Sequence, residues 1–363
     1  MLAITRYLRE YARPGSYPIE VQQSKYDRGG ESLNATVYRR PGAKRAGWIV
    51  LHGLTTTGRQ HPTLERFARA FAASGPVVMV PDIPEWRELR VATTISIPTI
   101  RAAIRALAER ADVDHERVGI LGFSFGATQA IVAAADASLQ SIMHGIAAWG
   151  GYRDLHRLFR FGIVGEHELD GVRHQLDPDP YGRWIMGANY LTGIPGFEDY
   201  IDVTAALREL AFEAGRRRVY AWDPSYDPDK QRVRARLASE HRIVFDLFAP
   251  LSNAPMGDLE RARDIAAGLA DAALRAEPLL EPGPALAQLR VPTLIAHGRD
   301  DRLVPFTESH RLARDVPADV MRGLTVTSLF AHSGQTDRSH GLVAIPREAI
   351  RFARLLNRII SFV

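Results

Sequence analysis

Short continuous apolar runs alternate along the chain with longer stretches whose apolar residues recur at helical spacing. The runs at 47–51, 76–80 and 118–121 are apolar at every position, and that at 142–149 at every position but His144, as expected of strands covered on both faces. Between them, Leu64, Phe67, Ala68 and Phe71 mark one helix face over 64–73, and Ile100, Ile104 and Leu107 another over 99–110. A small-residue helix over 126–135 follows the third run. Upstream, 19–26 and 33–38 flank Asp27-Arg28-Gly29-Gly30 and predict a hairpin of edge strands. This strand-helix rhythm predicts a mostly parallel central sheet with helices on both faces.

The rhythm stops after Gly150-Gly151. Residues 152–286 are rich in charges, aromatics and proline punctuation, with few strand-like runs, and predict a mainly helical insertion. It resumes with a strand at 291–296, a helix at 307–314, a last strand at 324–330 and a helix opened by Pro346. The expected organisation is therefore one α/β domain, 1–151 and 287–363, carrying an inserted cap or lid at 152–286, itself the size of a small domain. The apolar residues of the last helix surround too much of it for a helix lying on a membrane surface, so it is expected to pack on the sheet.

Composition narrows the functional classes. Of 363 residues, 46 are basic and 42 acidic, an excess too small for an obvious nucleic-acid binder. The basic groups Arg216–Arg218 and Lys230/Arg232/Arg234/Arg236 sit among acidic residues and read as solvated helix faces. Cysteine is absent, which excludes disulfides, thiolate metal sites and a cysteine nucleophile. No apolar run approaches the roughly 18 residues of a membrane span, and the N-terminus does not resemble a signal peptide. A cytoplasmic protein that binds neither membrane nor nucleic acid is the expectation. No metal-ligand spacing is present, and His167-Glu168 lacks the second histidine of a zinc helix.

The sharpest local signal is Gly122-Phe123-Ser124-Phe125-Gly126, at the junction of a strand and a helix. A serine on such a tight turn projects its hydroxyl from the carboxyl end of the sheet, and small residues two before and two after leave room for the turn. The Phe125 amide, at the helix N-terminus, would face a developing oxyanion. The turn Leu51-His52-Gly53-Leu54 follows the first central strand and would bring the Leu54 amide beside Ser124 as a second donor. His52 reads as a turn residue rather than a base, and Asp82, after the second central strand, as a turn-capping carboxylate. Asp300 and Asp301 are both placed to orient a histidine, in a segment that follows the strand at 291–296.

These motifs resemble the α/β-hydrolase superfamily, in its capped branch, over nearly the whole chain outside 152–286. The resemblance implies a Gly-x-x-Asp-x-x-Val-Pro acid segment. Matched to Gly298-Arg299-Asp300-Asp301-Arg302-Leu303-Val304-Pro305, it selects Asp301 and leaves Asp300 as a solvated turn residue. It also implies a base just past the last strand, where His332 and His340 compete; His332, 31 residues after Asp301, is preferred. The expected activity is hydrolysis of a small ester-like substrate through a Ser124–His332–Asp301 triad, with no cofactor and no metal. Thioester cleavage, acyl transfer and carbon–carbon bond hydrolysis use the same triad, and a non-catalytic ligand-binding protein of this fold is the rival from another class. Neither the oligomeric state nor the mobility of the insertion is fixed by these residues.

Overall fold

The computed structural model describes all residues except 1, 218–219, 253, 255–256, 329–344 and 363. Ten strands are described: β1 (Glu20–Arg28), β2 (Glu31–Arg39), β3 (Arg45–Leu51), β4 (Val77–Pro81), β5 (Val113–Phe123), β6 (Met143–Trp149), β7 (Glu166–Leu169), β8 (Val172–Gln175), β9 (Thr293–Gly298) and β10 (Met321–Thr327). Eight form one sheet in the order β1-β2-β4-β3-β5-β6-β9-β10, and β7-β8 form a separate hairpin. The six strands from β4 to β10 in that order run parallel; β2 is antiparallel to β4 and to β1.

The two sheet faces are filled by alternate residues of the same strands. In β3, Ile49 and Leu51 join an apolar cluster with Ile97, Ile100 and Ile104 of the helix Thr93–Ala108 and Ile131 of the helix Phe125–Ala134. Trp48 and Val50 point the other way, toward Phe67 and Phe71 of the helix Pro62–Ser74 and Leu355, Leu356 and Ile359 of the helix Ile345–Ile360. This two-sided burial is why the strands read as unbroken apolar runs, and the last helix packs on the sheet as expected.

Several bounds differ from the sequence reading. The helix expected at 99–110 begins at Thr93, with Pro98 inside it. β5 reaches back to Val113 through Asp114, His115, Glu116 and Arg117, a polar lip without an apolar signal. Only β1 of the first hairpin is an edge strand, because β2 pairs with β4. β7-β8 places a short hairpin in the segment expected to be mainly helical, with few strand-like runs.

Between the neighbouring strands β6 and β9 the chain runs through helices that include Leu155–Val164, Pro180–Tyr190, Ile201–Arg217 and Leu259–Ala276. These helices close round a third cluster, containing Trp184, Leu207, Tyr226, Phe245, Phe248 and Leu269. Leu89 and Val304 join that cluster from outside the segment, and Leu54 and Phe125 pack against it. The segment therefore lies over the end of the sheet where β5 meets its helix. Its basic residues are not uniformly solvated. Lys230 is buried and donates to Asp227 and to the Pro250 carbonyl at 3.0 Å each. Arg232, Arg234 and Arg236 pair with Glu209 and Asp246.

Candidate active site

Ser124 joins β5 to the helix Phe125–Ala134 with φ +58° and ψ −130°. A non-glycine residue held there costs on the order of 1–3 kcal/mol and persists only where its surroundings over-determine it. Those surroundings are specific. The Ser124 amide donates to the Trp149 carbonyl of β6 at 2.8 Å, and the Ser124 carbonyl accepts from the Ala127 amide at 2.8 Å. A Cβ on Gly122 would lie 2.1 Å from the Gly126 carbonyl oxygen, and one on Gly126 2.5 Å from the His52 carbonyl oxygen. Neither position admits a side chain without moving backbone, so the helix starts hard against both the strand end and the turn after β3.

That turn also touches Ser124 directly, since a Cβ on Gly53 would stand 3.3 Å from its Cβ and 3.5 Å from its Oγ. His52 is fully buried, and its Nδ1–H donates to the Gly53 carbonyl at 2.7 Å. The Gly53 carbonyl and the Leu54 amide belong to one planar peptide and point opposite ways. The His52 bond therefore fixes the direction of the Leu54 N–H. Burial pushes the His52 imidazole down to about 4, against an ordinary 6.5, and its ring meets Trp86 edge-on at 5.4 Å. Trp86 in turn stands edge-on to Phe125 at 5.3 Å, so one indole braces both the turn after β3 and the start of the helix. This bracing role was not legible in the sequence, where His-Gly signals only a turn.

Asp301 is 2% exposed in the loop after β9. Its Oδ1 accepts from the Leu303 and Val304 amides at 2.8 and 3.0 Å, which fixes the carboxylate plane within its own turn. Its Oδ2 lies 3.5 Å from Nε2 of His297, a fully buried ring that donates from Nε2 to the Val304 carbonyl at 2.9 Å and pairs through Nδ1 with Ser309. His297 is thus an internal brace of the Asp301 loop. Asp300 is half-buried rather than fully solvated. Asp82 is buried and paired with Arg87 at 3.2 Å, an ion pair in place of the turn cap expected for it.

β10 runs parallel to β9 with Thr327 opposite Gly298, and the Arg299 amide donates to the Thr327 carbonyl at 2.8 Å. The chain therefore leaves β10 beside the loop that holds Asp301. His332 and His340 follow shortly after and lie outside the described residues. Ser124, Leu54, Phe125 and Asp301 all lie at the carboxyl ends of β3, β5 and β9, the end of an open parallel sheet where ligands bind. Among the described residues no group of three or more His, Asp or Glu side chains is arranged for a metal ion, and no helix is long and apolar enough to cross a membrane.

The chain matches no family model and no curated protein. Its likeness is to solved structures. Esterase Est22 is 13% identical, with a TM-score of 0.53, over 99% of this chain and 84% of that one. An esterase of the archaeon Pyrobaculum calidifontis is 14% identical, with a TM-score of 0.51, over 99% of this chain and 88% of that one. The acylaminoacyl peptidase of Pyrococcus horikoshii is 13% identical, with a TM-score of 0.51, over 96% of this chain; the chain spans only 43% of the peptidase's length. The sheet order, the strained turn after β5 and these likenesses agree: this chain has the α/β-hydrolase fold.

Proposed function

We propose that the chain is a serine hydrolase acting on carboxylic esters, with Ser124 as nucleophile, Asp301 and His332 completing a triad, and residues 152–286 as a cap over the site. The observation that carries this reading is the left-handed backbone at Ser124, enforced by Gly122, Gly126 and the Trp149 carbonyl. Holding serine in that conformation costs stability, and a half-buried hydroxyl set at a helix N-terminus is what the cost provides. The names of the esterase neighbours support ester chemistry.

In this mechanism His332 takes the Ser124 proton as Oγ bonds to the ester carbonyl carbon. The Leu54 and Phe125 amides receive the charge on the carbonyl oxygen, each such donor being worth roughly 3 kcal/mol of barrier. When the tetrahedral adduct collapses, the carbon–oxygen bond to the alcohol breaks and the alcohol leaves with the proton from His332. Water then adds to the acyl-enzyme with the same histidine as base, releasing the acid and restoring Ser124. Asp301, held by two amides, orients the imidazole and stabilises its cationic form.

A fluorophosphonate probe tests this. Wild type is expected to label, and Ser124→Ala to lose the label completely. His332→Ala is expected to slow labelling at least a hundredfold while His340→Ala leaves it near wild type; the reverse pattern moves the base to His340. A folded wild type that does not label sinks the reading and leaves a ligand-binding protein in its place.

A further inference from the structure

The helix Pro180–Tyr190, in the segment between β6 and β9, starts at the meeting point of the two loops that flank Ser124. Its second residue, Tyr181, donates its phenolic O–H to the Leu54 carbonyl at 3.0 Å. The residue before the helix, Asp179, gives its amide to the Arg302 carbonyl at 2.8 Å, next to Asp301, while its carboxylate accepts from the Tyr181 amide at 3.0 Å. A Cβ on Gly182 would sit 3.2 Å from the Leu303 side chain, so the helix lies directly on the acid loop. One helix start thus spans the turn after β3 and the loop after β9.

We infer that Tyr181 is a positioning residue for the oxyanion site: its hydroxyl clamps the Leu54–Thr55 peptide while His52 clamps the Gly53–Leu54 peptide, so that the Leu54 N–H is held from both sides. This inference rests on the serine-hydrolase reading above. With both carbonyls flanking Leu54 engaged, neither peptide rotates without breaking a bond. Burial holds the Tyr181 phenol well above the usual tyrosine range, so it remains a donor at any working pH. A preorganised donor needs no rearrangement as charge develops, and its value falls when it is free to turn away. The clamp also gives the segment over the site a part in the chemistry, because the residue that steadies the oxyanion turn comes from that segment and not from the sheet.

Tyr181→Phe tests the clamp, since it removes one oxygen and leaves the ring packed. With a short-chain p-nitrophenyl ester as probe, kcat is expected to fall about tenfold while KM stays within twofold. A trifluoromethyl ketone, which forms an oxyanion on the nucleophile, is expected to bind about tenfold more weakly. The alcohol matching the ketone's chain, which has no carbonyl and forms no oxyanion, is expected to bind as before. A purely structural role would weaken both ligands together or only lower the melting temperature, and unchanged kcat with unchanged ketone affinity overturns the inference. Failure of the serine-hydrolase reading looks different: wild type itself then neither turns over the ester nor labels at Ser124, and the clamp's catalytic role falls with it.

Discussion

At Ser124 the backbone is set by its neighbours rather than by its own preference. Two glycines that admit no Cβ and one carbonyl across the sheet hold it where serine rarely sits. The glycine-serine-glycine spacing made this turn readable in the sequence, because only small residues satisfy that geometry. His52 was not readable in the same way, since its role depends on being buried against Trp86 and bonded to the next residue's carbonyl. That burial has a pH consequence. Folded His52 takes up a proton only near about 4, whereas the unfolded chain does so at its ordinary 6.5. Between these values the unfolded state binds more protons, so stability is complete above pH 6.5 and is lost as pH falls toward 4. The full loss is about 3 kcal/mol. His167, also depressed to about 4, chiefly by burial and then by His174, acts in the same window, but it is half-exposed and its share is smaller. Urea unfolding from pH 7 to 4.5 should show this acid limb in wild type and a shallower one in His52→Asn; equal limbs in both would refute the assignment.

At the scale of elements, the sequence yielded those whose burial is local and periodic, and missed those that depend on distant partners. The parallel strands and the helices Pro62–Ser74 and Phe125–Ala134 carry their own apolar signals. The helix Thr93–Ala108 was read too short, because Pro98 marks a break when no partner is in view. Its first turn is instead capped from 184 residues away. Glu277 accepts from the Thr93 amide at 2.8 Å, the Thr93 hydroxyl at 2.6 Å and the Thr94 amide at 3.2 Å. Removing this carboxylate by Glu277→Ala is expected to cost about 1–2 kcal/mol, the range of a lost N-cap. Equilibrium urea unfolding at pH 7 measures it, and a loss below a few tenths would mean that solvent replaces the cap. The hairpin β7-β8 was invisible for a related reason. It is polar and short, and it is held by the helix Phe306–Asp315 through Arg311 on Glu168, Arg314 on Asp170, and Phe306 against His167 and His174.

At the scale of the molecule, the segment between β6 and β9 is joined to the sheet by more than apolar contact. Glu308, fully buried on the helix after β9, accepts from the Arg153 and Asp154 amides at 2.9 and 2.8 Å and from Arg157 at 2.9 Å. Arg153 itself pairs with Glu281 and Asp315, so the start and the end of the segment meet at one arginine. Glu308→Ala strands two amides and a guanidinium, and a loss of about 2–4 kcal/mol is expected. Protease nicking within 152–286, at unchanged sheet stability by hydrogen exchange, would show the two parts coming apart; uniform loss of protection would show that they unfold as one. The same topology has a consequence for synthesis. β6 leaves the ribosome with its future neighbour β9 still about 140 residues unmade, on the order of ten seconds or more of elongation at typical rates. Throughout that interval one side of β6, an apolar strand in the middle of the finished sheet, has no partner, and the nascent chain is at its most vulnerable to association with other nascent chains. The emerging helices between β6 and β9 are the first structure available to shelter it.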